Sequence, residues 1–573
     1  MNNIKIAIEI ILLLIAPLSV VSQKTTKPWL ANPIELNYRF QPDGESRREA
    51  ADPTCVYFHD AYYLFASKSG GYWRSTDLAD WEYIATKTIT TIEDYAPCVF
   101  VYGDALYVLT SGGGSKLFRN ATPEADTWQA VDYHFEYQPD DPSVLVDDDG
   151  RVFFYFGCHD KEPIRGVEVD PRNGFRAIGK PVVLIPHNSR EHGWEMGGPN
   201  NSSGKDGWNE GSAILKIDGK YYLQYAAPGT EVRVYADGYY VADTPLGPFT
   251  YCQDSPFSLK AGGFIGGAGH GDTFRDRYGN LWHVSTMTIA QRHMFERRIG
   301  LFPASVAPDG TLRAYTAFTD YPFQIPQKKI DFAKWMSKPS MNLLSYRVKA
   351  TASSSKEGHA PSLATDEQVE TWWSAATGRS GEWLQADLGS LKKIEALQVN
   401  FADEGSDVHA PHAPFVYQYR IDVSKDGRQW LTVVDATANT LDLAHRLHQL
   451  DRAVKARYVR IENTASVSSG QFSVYDLRVF GRGNGPKVQR VTGVKVSRDE
   501  QDPRSVSLTW DAQPQATGYI VSWGTAPDRM THEAMVMGDN HWECNGLNRD
   551  APYYFRVRAF GERGLGSDSE VLQ

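Results

Sequence analysis

The sequence predicts an all-β protein, a five-bladed β-propeller followed by a β-sandwich of jelly-roll type and a second, smaller sandwich. Three observations carry that expectation. One segment recurs five times with the same grammar of polar head, apolar strand, Asp or Gly turn and Tyr- or Trp-rich strand. The copies are DPTCVYFHDAYYLFAS from Asp52, APCVFVYGDALYVLTS from Ala96, DPSVLVDDDGRVFFYFG from Asp141, EGSAILKIDGKYYLQYA from Glu210 and GDTFRDRYGNLWHVST from Gly271. Pro53, Pro97 and Pro142 fall 44 and 45 residues apart, and a period of about 40–50 residues built from short strands marks propeller blades. Past Phe332 the repeat gives way to strand-length alternation broken by turn residues, the pattern of sandwiches. The 15 Trp, 30 Tyr and 25 Phe suit sheets, and they also suit the C–H faces of sugar rings.

At 573 residues the chain has room for three or four domains. Apolar residues make up 41% and charged residues 23%, which disfavours wholesale disorder and a multi-span membrane protein. Fifty-nine Lys and Arg against 70 Asp and Glu leave a net charge of −11. That charge offers no field for a phosphate backbone or an anionic membrane and argues against nucleic acid as a partner. Residues 1–22 read as a secretory signal, with Lys5 ahead of an apolar run that ends in small residues before Gln23. Glu9 and Pro17 cut the run short of the roughly 20 apolar residues a spanning helix needs. Export to the periplasm or extracellular space, with no membrane span after cleavage, is therefore expected. Cys55, Cys98, Cys158, Cys252 and Cys544 are odd in number and lack a zinc-type spacing, so they read as buried free thiols.

The first domain is expected over 30–328. Tight turns at His59-Asp60, Gly103-Asp104, Asp148-Asp149-Gly150, Asp218-Gly219 and Tyr278-Gly279 suit its hairpins, and the Gly-, Asn- and Trp-rich stretch 187–209 reads as a surface loop. The second, over 340–482, carries TWWS from Thr371, WLQADLG from Trp383, SKDG from Ser424 and ARYVRI from Ala456. A Gly/Asn/Pro linker over 481–486 leads to the third, 488–573, where SVSLTW ending at Trp510, GYIVSW ending at Trp523 and YYFRVR from Tyr553 alternate as in a seven-strand sandwich.

Blade heads begin innermost strands, so residues at one repeat position meet around the axis even when they lie as far apart in sequence as Asp52 and Glu210. Three of the five heads carry an acid: Asp52, Asp141 and Glu210. Turn formation alone would favour Asp or Asn in all five, yet the second head is Ala96, and Glu is a poor turn residue. Crowded carboxylates repel and raise one another's pKa, a cost that a merely structural centre would avoid. Glycosidic hydrolysis, by contrast, needs one carboxylic acid and one carboxylate.

On these acids and the Gly269-His270-Gly271-Asp272 run, residues 33–325 resemble glycoside hydrolase family 43, whose members are five-bladed propellers. The second region resembles discoidin-type, family 32 carbohydrate-binding modules through TWWSA, WLQADLG, SKDG, ARYVRI and FSVYDLRVFG in order. The third resembles a fibronectin type III module, with Trp510 and Tyr554 as core residues. The first resemblance implies Asp52 as general base, Glu210 as general acid and Asp141 as the residue that orients the acid and keeps it protonated. An ionised Asp141 beside Glu210 would lift its pKa towards the working pH. Direct displacement by water inverts the anomeric centre and needs carboxylates about 6.5–9.5 Å apart.

Trp73, Tyr95, Trp194, Glu195 and Trp208 are candidate pocket residues, with Arg298 for the last-blade arginine that family members place against the sugar. His270 is either an axial ligand for a metal or water, or a satisfied buried histidine. No cofactor is required for catalysis. The second resemblance implies a structural calcium ion held by the 366–371 loop, through Asp366 and Thr371, and by Asp476, oxygen donors that suit a hard ion. His359, Arg379 and His409 are its candidate sugar contacts, though surface solvation accounts better for each. The expected activity is removal of a terminal α-L-arabinofuranoside, β-xyloside or β-galactoside from a plant-type polysaccharide. The alternatives are a propeller lectin without catalysis and a retaining, fructan-type enzyme, which the absence of an Arg-Asp-Pro motif disfavours.

Overall fold

The computed structural model describes residues 27–409 and 414–573, so the expected signal segment lies outside the described residues. Five four-stranded antiparallel sheets make up the first region. Their first strands are Thr54–Phe58, Cys98–Tyr102, Ser143–Val146, Glu210–Ile217 and Gly266–Arg275. Each packs beside the next and the last returns to the first, so together they line a central channel of about 500 Å³. Hairpins form where the turn residues stand: Phe58 pairs with Ala61, Tyr102 with Ala105 and Ile217 with Lys220. The second strands Ala61–Phe65, Ala105–Leu109 and Val152–Phe156 are buried at every position, which explains their aromatic and aliphatic content. Trp29–Leu30 pairs with Phe323–Gln324 and ties the two ends of the region together.

The second region is built on two long antiparallel strands, Trp383–Phe401 and His445–Asn463. Their pairing breaks register between Asp387 and Lys392 and between Ile394 and Ala396, the irregularity that lets a strand curve around a core. That core holds Leu384, Leu397, Phe401, Tyr417, Ile461 and Leu477. The third region packs a three-stranded sheet against one built on Gly518–Gly524, around Trp510, Trp523 and Phe555.

Buried polar contacts hold the first two regions together. Arg48 pairs with Asp403 and Asp442, and Arg478 pairs with Glu367 and reaches Asp320. Removing one partner of such a pair costs about 3–5 kcal/mol. Ala261–Gly262, from the first region, adds a parallel strand beside Ala534 and Met535 of the third.

Three sequence expectations need correction. Stretch 187–209 is not simply a surface loop: His192, Trp194, Glu195, Asn201 and Asn209 are buried, and Gly193 N–H donates to the Leu547 carbonyl at 3.1 Å. The third region covers it. Tyr554 is not a core residue, because strand alternation turns Tyr553 and Phe555 inward and leaves Tyr554 half-buried. All five cysteines are free, but only Cys55 and Cys98 are buried as expected; Cys158, Cys252 and Cys544 are partly exposed.

Candidate active site

A residue in the left-handed region stands two positions ahead of each of the first three innermost strands, Asp52 (φ 51°), Ala96 (43°) and Asp141 (46°), and within the fourth and fifth, Gly211 (60°) and His270 (47°). For the four non-glycine residues this conformation costs on the order of 1–2 kcal/mol each, strain of the kind that collects at functional sites. Gly211 has a second reason to be glycine, since a Cβ there would lie 2.6 Å from the His270 ring. By this mark the fifth repeat turns at His270 rather than at Gly271, and the fourth turns at Gly211, one residue past Glu210.

The heads bring Asp52, Asp141, Glu210 and His270 together. His270 Nδ1 stands 3.3 Å from Asp52 Oδ1 and 3.7 Å from Asp141 Oδ2. Gly211 N–H donates to Asp141 Oδ2 at 3.3 Å, which fastens the third head to the fourth. Ser67 Oγ donates to Asp52 Oδ2 at 2.6 Å, and Arg297 Nη1 lies 3.1 Å from Asp52 Oδ1. Glu210 accepts from the Tyr235 hydroxyl through Oε1 and from the Cys158 thiol, at 3.2 Å, through Oε2. Behind His270, Asp237 accepts from the His270 and Gly271 N–H groups at 2.8 and 3.0 Å, and pairs with His283 at 2.9 Å.

These surroundings pull the carboxyls apart. Burial works against the Asp52 charge, but Arg297 and His270 outweigh it and hold the group below the ordinary Asp range. Glu210 has no guanidinium beside it. Burial and then the charge of Asp141 push its pKa up to about 7, against the lowering effects of His270 and Tyr235. Asp141 is itself raised, by burial first, while His270, the Cys158 thiol and the Gly211 N–H favour its ionised form. Burial also opposes the His270 charge, but Asp52, Asp141, Glu210 and Asp237 together raise its pKa, so the imidazolium acts as the counter-ion of the ring. Below about pH 7 the arrangement therefore holds Asp52 ionised and Glu210 protonated. That division is what acid–base hydrolysis of a glycoside uses.

Not every expected pocket residue is in place. Tyr95, 37% exposed, meets Phe295 edge-on at 5.8 Å, and Trp208, 45% exposed, lies 5.8 Å from the His159 ring. Both lie just ahead of a head, Tyr95 one residue before Ala96 and Trp208 two before Glu210, and are exposed enough to serve as rim aromatics, although Lys68 sits over the Tyr95 ring at 4.3 Å. Trp73 is buried in the core beneath the first sheet, its indole N–H on Asn37 at 2.6 Å. Trp194 is buried against Tyr251, and Glu195 is spent on His192, Tyr225 and the Asn188 N–H. Arg298 points away, to His445 of the second region at 2.9 Å; its neighbour Arg297 is the arginine that faces the acids. Tyr235, Cys158 and Thr286, which accepts the Asp52 N–H at 2.8 Å, carried no distinguishing sequence signal.

In the second region Thr371 Oγ1 donates to Asp366 Oδ2 at 2.8 Å, and the Glu367 N–H donates to Asp476 Oδ2 at 2.9 Å. Asp476 is fully buried and its Oδ1 has no hydrogen-bond partner. An orphaned carboxylate oxygen close to a second carboxylate fits a hard cation. His359 stacks on Trp372 at 4.7 Å, so one face of each ring is already covered.

Comparison with known proteins matches residues 46–312 to the family model "Glycosyl hydrolases family 43" and residues 349–476 to "F5/8 type C domain". An arabinoxylan arabinofuranohydrolase of Paenibacillus polymyxa is 30% identical over 163 residues, 26% of this chain and 24% of that protein. Neuropilin-1a of Danio rerio is 21% identical over 230 residues, 35% of this chain and 24% of that protein. The chain thus spans about a quarter of the length of these relatives. Among solved structures, one described as a glycoside hydrolase aligns with TM-score 0.44 and 19% identity over 75% of this chain and 97% of that one. A thermostable family-43 glycoside hydrolase aligns with TM-score 0.42 and 22% identity over 53% of this chain and 100% of that one. The chain carries a glycoside hydrolase domain of family 43, in which the four converging side chains lie, followed by an F5/8 type C domain.

Proposed function

We propose that the protein is an exported, inverting exo-glycosidase that removes a terminal α-L-arabinofuranose, β-xylose or β-galactose from a plant-type polysaccharide. The observation that carries the reading is the opposed setting of two head carboxyls: Asp52 paired with Arg297, and Glu210 set beside Asp141 with no guanidinium at hand. In this reading Asp52 takes a proton from the attacking water while Glu210 protonates the leaving oxygen. Asp141 keeps the proton on Glu210, and His270 holds Asp52 and Asp141 in register. Tyr95 and Trp208 offer faces for the sugar ring. The name of the Paenibacillus polymyxa relative favours the arabinofuranoside among the three glycones. The second region would hold the enzyme on its substrate, with calcium bound by Asp366, Thr371 and Asp476 to neutralise two inward carboxylates. The third region, read as fibronectin type III, would act as a spacer.

The test is release of free monosaccharide from arabinan, arabinogalactan and xylan, with Glu210→Ala as blank and the first anomer followed by proton NMR. Release of the inverted anomer by wild type alone is expected. Equal release by the variant, or retention of configuration, would refute the reading.

A further inference from the structure

The head acids are not held by their own strands alone. In each of the first three sheets the chain leaving the second strand bonds back to the residue before the head: Ser67 N–H to Ala51, Ser111 N–H to Tyr95 and Gly157 N–H to Asp140. At the first two of these positions a hydroxyl then serves the heads. Ser67 Oγ donates to Asp52 and accepts the Ala96 N–H at 2.8 Å, while Ser111 Oγ accepts the Asp141 N–H at 2.9 Å and reaches Asp141 Oδ1 at 3.4 Å. In the third sheet the equivalent residue, Gly157, has φ 147° and no room for a side chain, since a Cβ would come within 2.9 Å of Ile164 Cα. The following residue takes over. Cys158 Sγ lies 3.2 Å from Glu210 Oε2, and the sulfur and one oxygen each of Asp141 and Glu210 all fall within 4.8 Å of one another.

The backbone on either side of Cys158 is fastened to the residues that precede both acids. Gly157 N–H donates to the Asp140 carbonyl at 2.8 Å, and His159 pairs with Asn209 through two backbone bonds at 3.2 and 3.0 Å. The sulfur is therefore placed between Asp141 and Glu210 by the same bonds that place the acids. We propose that Cys158 is a positioning residue, the thiol counterpart of Ser67 and Ser111, whose S–H and sulfur bridge Asp141 to Glu210 and keep the acid aimed at the leaving oxygen. A thiol can donate and accept. It can accept from protonated Glu210 while donating to Asp141, and it can donate to Glu210 once the proton has been given away. The other groups facing the pair are the Tyr235 hydroxyl, His270 and Asp52, and none of them bridges the two carboxyls.

This inference rests on the glycosidase reading, and its test separates the two. Wild type, Cys158→Val and Cys158→Ser are compared on a 2,4-dinitrophenyl glycoside, whose phenolate departs unprotonated, and on a 4-methoxyphenyl glycoside of the same sugar, which needs the acid. Cys158→Val should lose about tenfold or more in kcat/KM on the second substrate, a fraction of what a general acid contributes, and little on the first. Cys158→Ser should restore most of the loss, because serine is what the first two sheets use. Equal losses of Cys158→Val on both substrates, no loss at all, or failure of serine to restore activity would each overturn the proposal. Cys158→Ala takes the place of the valine variant should that one not fold. Should wild type cleave neither glycoside, the activity reading fails. The bridge is then tested without substrate, by difference infrared titration of the carboxyls in wild type and Cys158→Val: a shifted titration of the pair supports it and an unchanged one refutes it.

Discussion

Asp52 and Glu210 enter the same axis from the first and fourth sheets, both as head residues, and their surroundings drive them to opposite protonation states. Around Asp52 the fifth sheet supplies Arg297, and Arg297 is itself held by Glu49 at 2.6 Å, so the carboxylate sits in a chain of compensated charge. Around Glu210 the neighbours are a phenol, a thiol, another acid and the more distant influence of His270, which leaves desolvation and repulsion to dominate. Two carboxyls at one repeat position thus acquire different chemistry from what adjoining sheets place beside them. The ring supplies proximity and the neighbours supply polarity.

Deleting either carboxyl should have the largest effect. Glu210→Ala and Asp52→Ala should each lower kcat/KM on polysaccharide by about 10²–10⁴-fold, measured as initial rates of sugar release with folding checked by circular dichroism. Arg297→Gln tests the cationic side. It leaves Glu49 and Asp52 buried without their cation, so a stability loss of about 3–5 kcal/mol is expected in denaturant unfolding. Asp52 would then have only His270, Ser67 and Thr286 to offset its burial. Its pKa rises, and because the base must be ionised, the acid limb of the pH–rate profile moves to higher pH.

Asp141→Asn sharpens the other side. It removes the second largest influence raising Glu210, so the acid gives up its proton at lower pH and the alkaline limb, expected near pH 7 in wild type, moves down. A displacement on the order of one unit would cost about tenfold in rate on that limb. The smallest effect is expected far from the axis. Chelation of calcium should lower the melting temperature by about 2–4 °C for each kcal/mol of binding lost, with the pH profile unchanged. A profile that follows chelation would place the ion at the acids instead.

Much of this arrangement was legible because repetition converts sequence position into spatial position. Asp52, Asp141 and Glu210 could be placed together from their heads alone, and the hairpin turns and second-strand aromatics followed from local chemistry. What was not legible depended on neighbours distant in sequence. Arg297 and Arg298 are adjacent in one strand and point to opposite faces, and both faces are covered here, one by the acids and one by the second region, so burial pattern could not choose between them. Trp73 and Trp194 read as sugar platforms until cores formed over them. The 187–209 stretch has loop composition but is capped by the third region. Cys158 looked like an inert thiol because its partners lie 17 and 52 positions away.

The most direct test of opposed roles is the response of Asp52→Ala and Glu210→Ala to leaving-group ability, using the 2,4-dinitrophenyl and 4-methoxyphenyl glycosides. With the acid removed, Glu210→Ala should retain substantial activity on the activated substrate and lose it on the other, whereas Asp52→Ala should fail on both for want of an activated water. The opposite pattern, with Asp52→Ala rescued by the better leaving group and Glu210→Ala inactive on both, would contradict the assignment.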